Sequence, residues 1–151
     1  IGKTLGRGEK DLAYKYSIKM MKLTFVFNIF TMTLLIIAIW PIAGIYGFEP
    51  ETTDMLIKSL LVFAAAQLPK MLVYVLVCGI IRAGGDTVWC LKMEFLFNFC
   101  CQIGLALIAV NILGLPLYLS IAVVMLAEVT KSIVCIYRVL SKNWMNVFTG
   151  R

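Results

Sequence analysis

The chain has 151 residues, of which 62% are hydrophobic and only 15% charged, and it carries a formal net charge of +6. Soluble domains carry roughly a quarter charged residues, so this composition cannot supply a water-facing shell, and it excludes an ordinary soluble enzyme or binding domain. Nucleic acid is not the implied partner of the positive charge, because the lysines and arginines sit beside apolar stretches instead of forming a block interleaved with aromatics.

The chain opens Ile1-Gly2-Lys3-Thr4, in what reads as the middle of a loop, so a piece of a longer polypeptide is expected. A cleaved signal peptide does not fit, since apolar stretches recur along the whole length and are too long. Gly2-Lys3-Thr4 matches the end of a phosphate-binding loop, but the earlier glycine would fall before Ile1 and a strand should precede it. With Gly6-Arg7-Gly8 it reads better as a flexible cytoplasmic loop, and residues 1–22 are assigned to that loop and the basic start of the first helix. Lys15, Lys19 and Lys22 recur at spacings of four and three and share one helical face below the membrane. Anchoring on anionic lipid and a merely solvated helix end both account for that row.

Four apolar stretches follow, each long enough to cross a hydrocarbon core of about 30 Å. They run from about Leu23 to Trp40, stopping at Pro41, then from Leu60 to Ile81, Val88 to Leu113 and Pro116 to Tyr137. Alternation with period two is missing, which disfavours a barrel. Gly44, Gly47 and Pro50 break the chain after the first span, and Thr52, Thr53 or Asp54 is suited to cap the second. Ala83-Gly84-Gly85-Asp86-Thr87 reads as a tight turn with Asp86 or Thr87 as the next N-cap, and Gly114-Leu115-Pro116 makes the last turn. The predicted fold is all-α and integral to the membrane: four antiparallel transmembrane helices in residues 23–140, then a cytoplasmic tail at 141–151. Lys3, Arg7, Lys10, Lys15, Lys19 and Lys22 precede the first span, and Glu49, Glu51 and Asp54 with a single Lys58 follow it. Arg82 and Lys92 flank the second loop, and Arg138, Lys142 and Arg151 lie at or beyond the end of the fourth span. Lysine and arginine excess marks the cytoplasmic side, so both ends are expected inside, in a multi-pass protein of the cell membrane.

Charges within the spans carry the functional expectation, because each costs about 3 kcal/mol or more near the bilayer centre. Lys70 lies near midplane, beside Gln67 and after Pro69, whose missing N–H frees the Ala65 carbonyl. Such a group at membrane depth suits a solute or ion pathway; a lysine paired for packing is the plainer reading. Glu94, Asn98 and Gln102 recur every four residues and share one face, which either bonds a neighbouring helix or lines a cavity. Glu128 and Lys131 stand three apart in the fourth span. Matched depths predict that Glu94 faces Lys131, leaving Glu128 for Lys70. Cys78, Cys90, Cys100, Cys101 and Cys135 lie in or beside apolar runs without a CxxC pair, and histidine is absent, so they read as small packing residues. No metal or cofactor is implied, and with no nucleophile–base pair the chain does not read as an enzyme.

Several of these residues resemble the multidrug and toxic compound extrusion transporters. Ile1-Gly2 with Gly6, Gly8 and Ala13 is similar to the loop before that family's ninth helix. The run Gly79-Ile80-Ile81-Arg82-Ala83-Gly84-Gly85-Asp86-Thr87 resembles the signature closing its tenth, with Pro116-Leu117-Tyr118 and Ser141-Lys142-x-Trp144 in support. The resemblance implies helices nine to twelve, part of a six-helix lobe, in an antiporter that exports cationic or amphipathic drugs in exchange for sodium ions or protons. Its implied partners are membrane lipid, an amphipathic small molecule, the coupling ion and the remaining helices. An acidic residue found midway along the tenth helix in some sodium-coupled members would fall near Met71, so that carboxylate is missing here. Gln67, Lys70, Glu94, Asn98, Gln102 and Glu128 are the candidate pathway residues, and Arg82, Gly84, Gly85 and Asp86 the signature turn. Lys70 also suits a flippase of lipid-linked saccharide or peptidoglycan precursors, which needs cations for phosphate. A non-transporting membrane scaffold is the alternative of another class.

Overall fold

A computed structural model describes residues 1–146. Among them all regular structure is helical: a short α1 (Gly2–Gly6) precedes four long helices, α2 (Lys10–Tyr46), α3 (Pro50–Gly84), α4 (Thr87–Ile112) and α5 (Leu117–Leu140). All four long helices are long and apolar enough to cross a membrane. They outrun the predicted apolar spans because a helix continues past its hydrophobic stretch into its charged ends.

The turns lie where glycine and proline demand them. Gly47 ends α2 in the left-handed conformation (φ 58°), Gly85 separates α3 from α4 (φ 88°), and Gly114 separates α4 from α5 (φ 55°). These are backbone angles that side chains resist. Pro50 takes the first position of α3, where its missing N–H costs nothing. Three local expectations are corrected. Pro41 does not stop the first helix but lies inside α2, between buried Ile39 and Ala43. The N-cap of the second long span is Glu49 rather than Thr52, Thr53 or Asp54; Thr53 instead donates to the Phe48 carbonyl (3.1 Å), and Asp54 pairs with Lys58. Gly2–Gly6 is helical rather than loop, because Leu5 drops into the core and Gly2 abuts the Ala83 carbonyl.

In cross-section the order is α2, α3, α5, α4: α2 packs on α3, α3 on α5 and α5 on α4, while α3 and α4 meet beside their shared turn. Wide π-type turns interrupt α3 at Val75–Ile81 and α4 at Leu96–Gln102 and Ile108–Ile112. The best-buried cluster gathers at the end where α1 and the turn after α5 lie: Leu5, Ala13, Leu76, Ile80, Ile81, Cys90, Cys135, Val139 and Trp144 all belong to it. Trp144 is wholly buried, so the segment after α5 is a docked turn through residue 146 and not a free tail. Arg151 lies outside the described residues.

Candidate functional site

The polar residues of α4 and α5 meet in a ladder. At its outer rung Asp86, in the turn before α4, accepts two hydrogen bonds from Arg138, Nε at 2.9 Å and Nη2 at 2.6 Å. Asp86 stands at the N-cap position, but its side chain makes no capping bond; the guanidinium takes the carboxylate instead, and its fork-shaped donors suit that acceptor better than a single backbone N–H. Arg138 also stacks over Trp89, 5.2 Å from the ring centre. Deeper, Lys131 donates to Asn98 Oδ1 (3.2 Å), and Gln102 donates to the Glu128 carboxylate. Lys131 and Glu128 are 4% and 8% exposed, so two opposite charges are buried three residues apart, each held by a neutral amide of the facing helix.

The predicted Glu94–Lys131 pair does not form. Glu94 is taken by Arg82 at the end of α3 (3.2 Å), and Lys131 reaches one helical turn further, to Asn98. Side chains lean toward their own helix's N-terminus. Those of α4 therefore tilt back toward the turn and those of α5 away from it, which offsets every rung. Glu128 does not serve Lys70 either. Lys70 is exposed on α3 and has no carboxylate within ion-pair distance among the described residues. Gln67 is half-buried one turn away. The structure thus joins Asn98, Gln102 and Glu128, sends Glu94 to Arg82, and leaves Gln67 and Lys70 apart from them.

Two features escaped the sequence reading. Asn28, at 2% exposure in the middle of α2, donates to the Leu68 carbonyl beside Pro69 (2.9 Å), while its Oδ1 is buried without a partner. An amide alone in an apolar span was the signal available. The other is the seat of Trp144. Gly84 lies so close to it that a methyl group there would overlap both the indole and the Trp144 carbonyl. Asn146 N–H then donates to the Gly84 carbonyl (3.0 Å), and Trp144 Nε1 to Val139 (3.0 Å). Arg82, Gly84, Gly85 and Asp86 therefore form a hub to which α4, α5 and the C-terminal turn are all fastened.

The MatE family model matches residues 1–109. The chain belongs to the MatE family. No curated protein and no solved structure matches it. MatE proteins are membrane transporters, generally of the compound-efflux kind, and this chain is a multi-pass membrane component of one. The MatE match takes in α1, α2, α3 and all of α4 as far as Ala109. The α5 side of the ladder lies beyond the match and is joined to the family region by the contacts described above.

Proposed function

We propose that the protein is part of a secondary active transporter that exports cationic or amphipathic compounds by antiport with sodium ions or protons, and that Lys70 takes part in the transport step. The observation that carries this reading is the contrast between Lys70 and the charges of the ladder. Lys131, Glu128, Arg138 and Asp86 are committed to one another's helices, whereas Lys70, at membrane depth in α3, is exposed without an acidic partner among the described residues. A bare ammonium facing lipid is too costly to keep, so its side of α3 fits a water-filled pathway or a partner beyond the described residues. Both chain ends are placed on the cytoplasmic side in this reading, and the remaining helices complete the lobe.

The cationic character of Lys70 also favours a second reading, a flippase that grips lipid-linked phosphate. Reconstituting the intact protein in vesicles with an imposed sodium or proton gradient separates the two. Cationic dye should be exported by the wild type and at least about tenfold more slowly by Lys70→Met, about 1.4 kcal/mol of barrier, with the unfolding temperature unchanged. Normal dye export by Lys70→Met overturns the role given to Lys70. A wild type that leaves dye in place but moves a lipid-linked phosphosaccharide establishes the flippase.

A further inference from the structure

Between α2 and α3 a cavity of about 280 Å³ opens on one flank, walled by Leu23, Phe27, Met71 and Val75. Three polar side chains of α2 also line it, Thr24, Asn28 and Thr31, whose spacings of four and three stack them on one face of the helix. Their donors are already given to the backbone. Thr24 donates to the Met20 carbonyl (2.8 Å), Thr31 to that of Asn28 (3.0 Å), and the Asn28 amide to that of Leu68 (2.9 Å). A carbonyl can only accept, so the Asn28 nitrogen must face Leu68 and its oxygen is left over.

That oxygen is buried without a partner, on a residue only 2% exposed. Shielded from water, it gains nothing from solvent, and an unmatched acceptor in an apolar site is costly. A donor brought in from outside the two helices would remove the cost. The walls limit what that donor can be. Among the described residues no lysine, arginine, aspartate or glutamate lines the cavity, so a charged group of either sign would enter without a counter-ion. That is far costlier than burying a neutral polar group. Apolar walls, one unmatched acceptor and no charge are complementary to an uncharged, largely apolar molecule that carries a hydrogen-bond donor.

We propose that this cavity is a binding site for a neutral, hydroxyl-bearing amphiphile, whose O–H donates to Asn28 Oδ1 and whose hydrocarbon part packs on Leu23, Phe27, Met71 and Val75. Leu23 and Phe27 are exposed at the rim, by 63% and 61%, so their side chains can turn aside to admit the ligand. Lys70 precedes Met71 but points about 100° round the helix from it, and it does not line the cavity. The site therefore neither uses Lys70 nor depends on the transport reading. Asn28→Leu removes the acceptor and keeps a side chain of similar size between the helices, so it tests the bond without opening a void.

The test follows the unfolding temperature of the intact protein in lipid nanodiscs as para-propylphenol or para-propylanisole is added. The ether carries a methyl group in place of the hydroxyl hydrogen and has no donor. A ligand that binds only the folded state raises the unfolding temperature. The phenol should stabilise the wild type at concentrations about tenfold below those the ether needs, the factor set by one well-formed hydrogen bond. In Asn28→Leu the phenol and the ether should act at equal concentrations. In Met71→Phe, which narrows the cavity and leaves the acceptor in place, both should lose their effect. Phenylpropylammonium and para-propylbenzoate, a cation and an anion of similar size, should stabilise the wild type less than the phenol does. Equal action of phenol and ether on the wild type, a preference that survives in Asn28→Leu, or an unchanged response in Met71→Phe overturns the site. Stronger stabilisation by either ion overturns the neutral class of ligand.

Discussion

At the scale of single residues, one close approach depends on a missing side chain. Gly84 admits both the ring and the carbonyl of Trp144 into space that a methyl group would occupy. The two obstacles differ in kind. An indole can swing, but the carbonyl is backbone, held near by the bond from Asn146 to Gly84. Gly84→Ala therefore has to lift the whole C-terminal turn, an overpacking cost of about 1–3 kcal/mol. The purified protein should melt at lower temperature and lose the turn after α5 to protease sooner. The double variant G84A/W144A should not recover, because trimming the indole leaves the carbonyl in place and adds a void. Melting of Gly84→Ala at the wild-type temperature would show that the turn is not seated as described. Asp86 teaches a related lesson: a residue that looks like a helix cap in sequence is claimed by Arg138, fifty-two positions away. The signature turn is thus a fastening for three segments rather than a local bend.

At the scale of helices, the fastening of α2 to α3 turns on Asn28. Its amide donates across to Leu68, a kind of bond that averages about 0.6 kcal/mol between membrane helices. Its oxygen, buried without a partner, costs about 1–3 kcal/mol. The two nearly cancel or favour removal, so Asn28→Leu should leave thermal stability within about 1 kcal/mol of wild type or raise it. Asn28→Asp removes the donor and sets a carboxylate against the Leu68 carbonyl, and it should destabilise strongly. A large loss in Asn28→Leu would mean that the oxygen has a partner in the native membrane. The helices and their turns were legible in the sequence, since lipid demands long apolar helices and left-handed turns demand glycine. The pairing of side chains between helices was not. Depth counting put Glu94 opposite Lys131, and opposed side-chain lean on α4 and α5 moved the contact to Asn98. Arg82 closes on Glu94 because α3 and α4 are joined by one tight turn, a contact that counting along α4 and α5 alone could not reveal. The polar stripe of Glu94, Asn98 and Gln102 was read with two outcomes open, and two of its three members bond α5 while Glu94 goes to α3. Lys70 was expected to have a partner in Glu128, and Gln102 holds that carboxylate instead.

At the scale of the whole molecule, the arrangement divides into a tight end and an open end. Three short segments, Gly2–Gly6, Arg82–Asp86 and Ser141–Trp144, converge at one end of the four helices. Among the described residues the opposite end has only the turns at Gly47 and Gly114. Charge follows the same division: the tight end carries Lys3, Arg7, Lys10, Arg82, Arg138 and Lys142, while the open end holds Glu49, Glu51 and Asp54 with Lys58. A bias of lysine and arginine this lopsided orients a membrane protein with the basic side in the cytoplasm. All five native cysteines, at 78, 90, 100, 101 and 135, lie within the long helices, so single cysteines added outside them report on a quiet background. Arg7→Cys and Asn143→Cys, both at exposed positions, should react with a membrane-impermeant maleimide only after cells are opened. Glu49→Cys and Leu113→Cys, also exposed, should react in intact cells. Labelling of Arg7→Cys and Asn143→Cys from opposite sides would break the four-crossing fold itself. A uniform reversal, with both of them reached in intact cells, would spare the fold and refute the charge argument for its orientation.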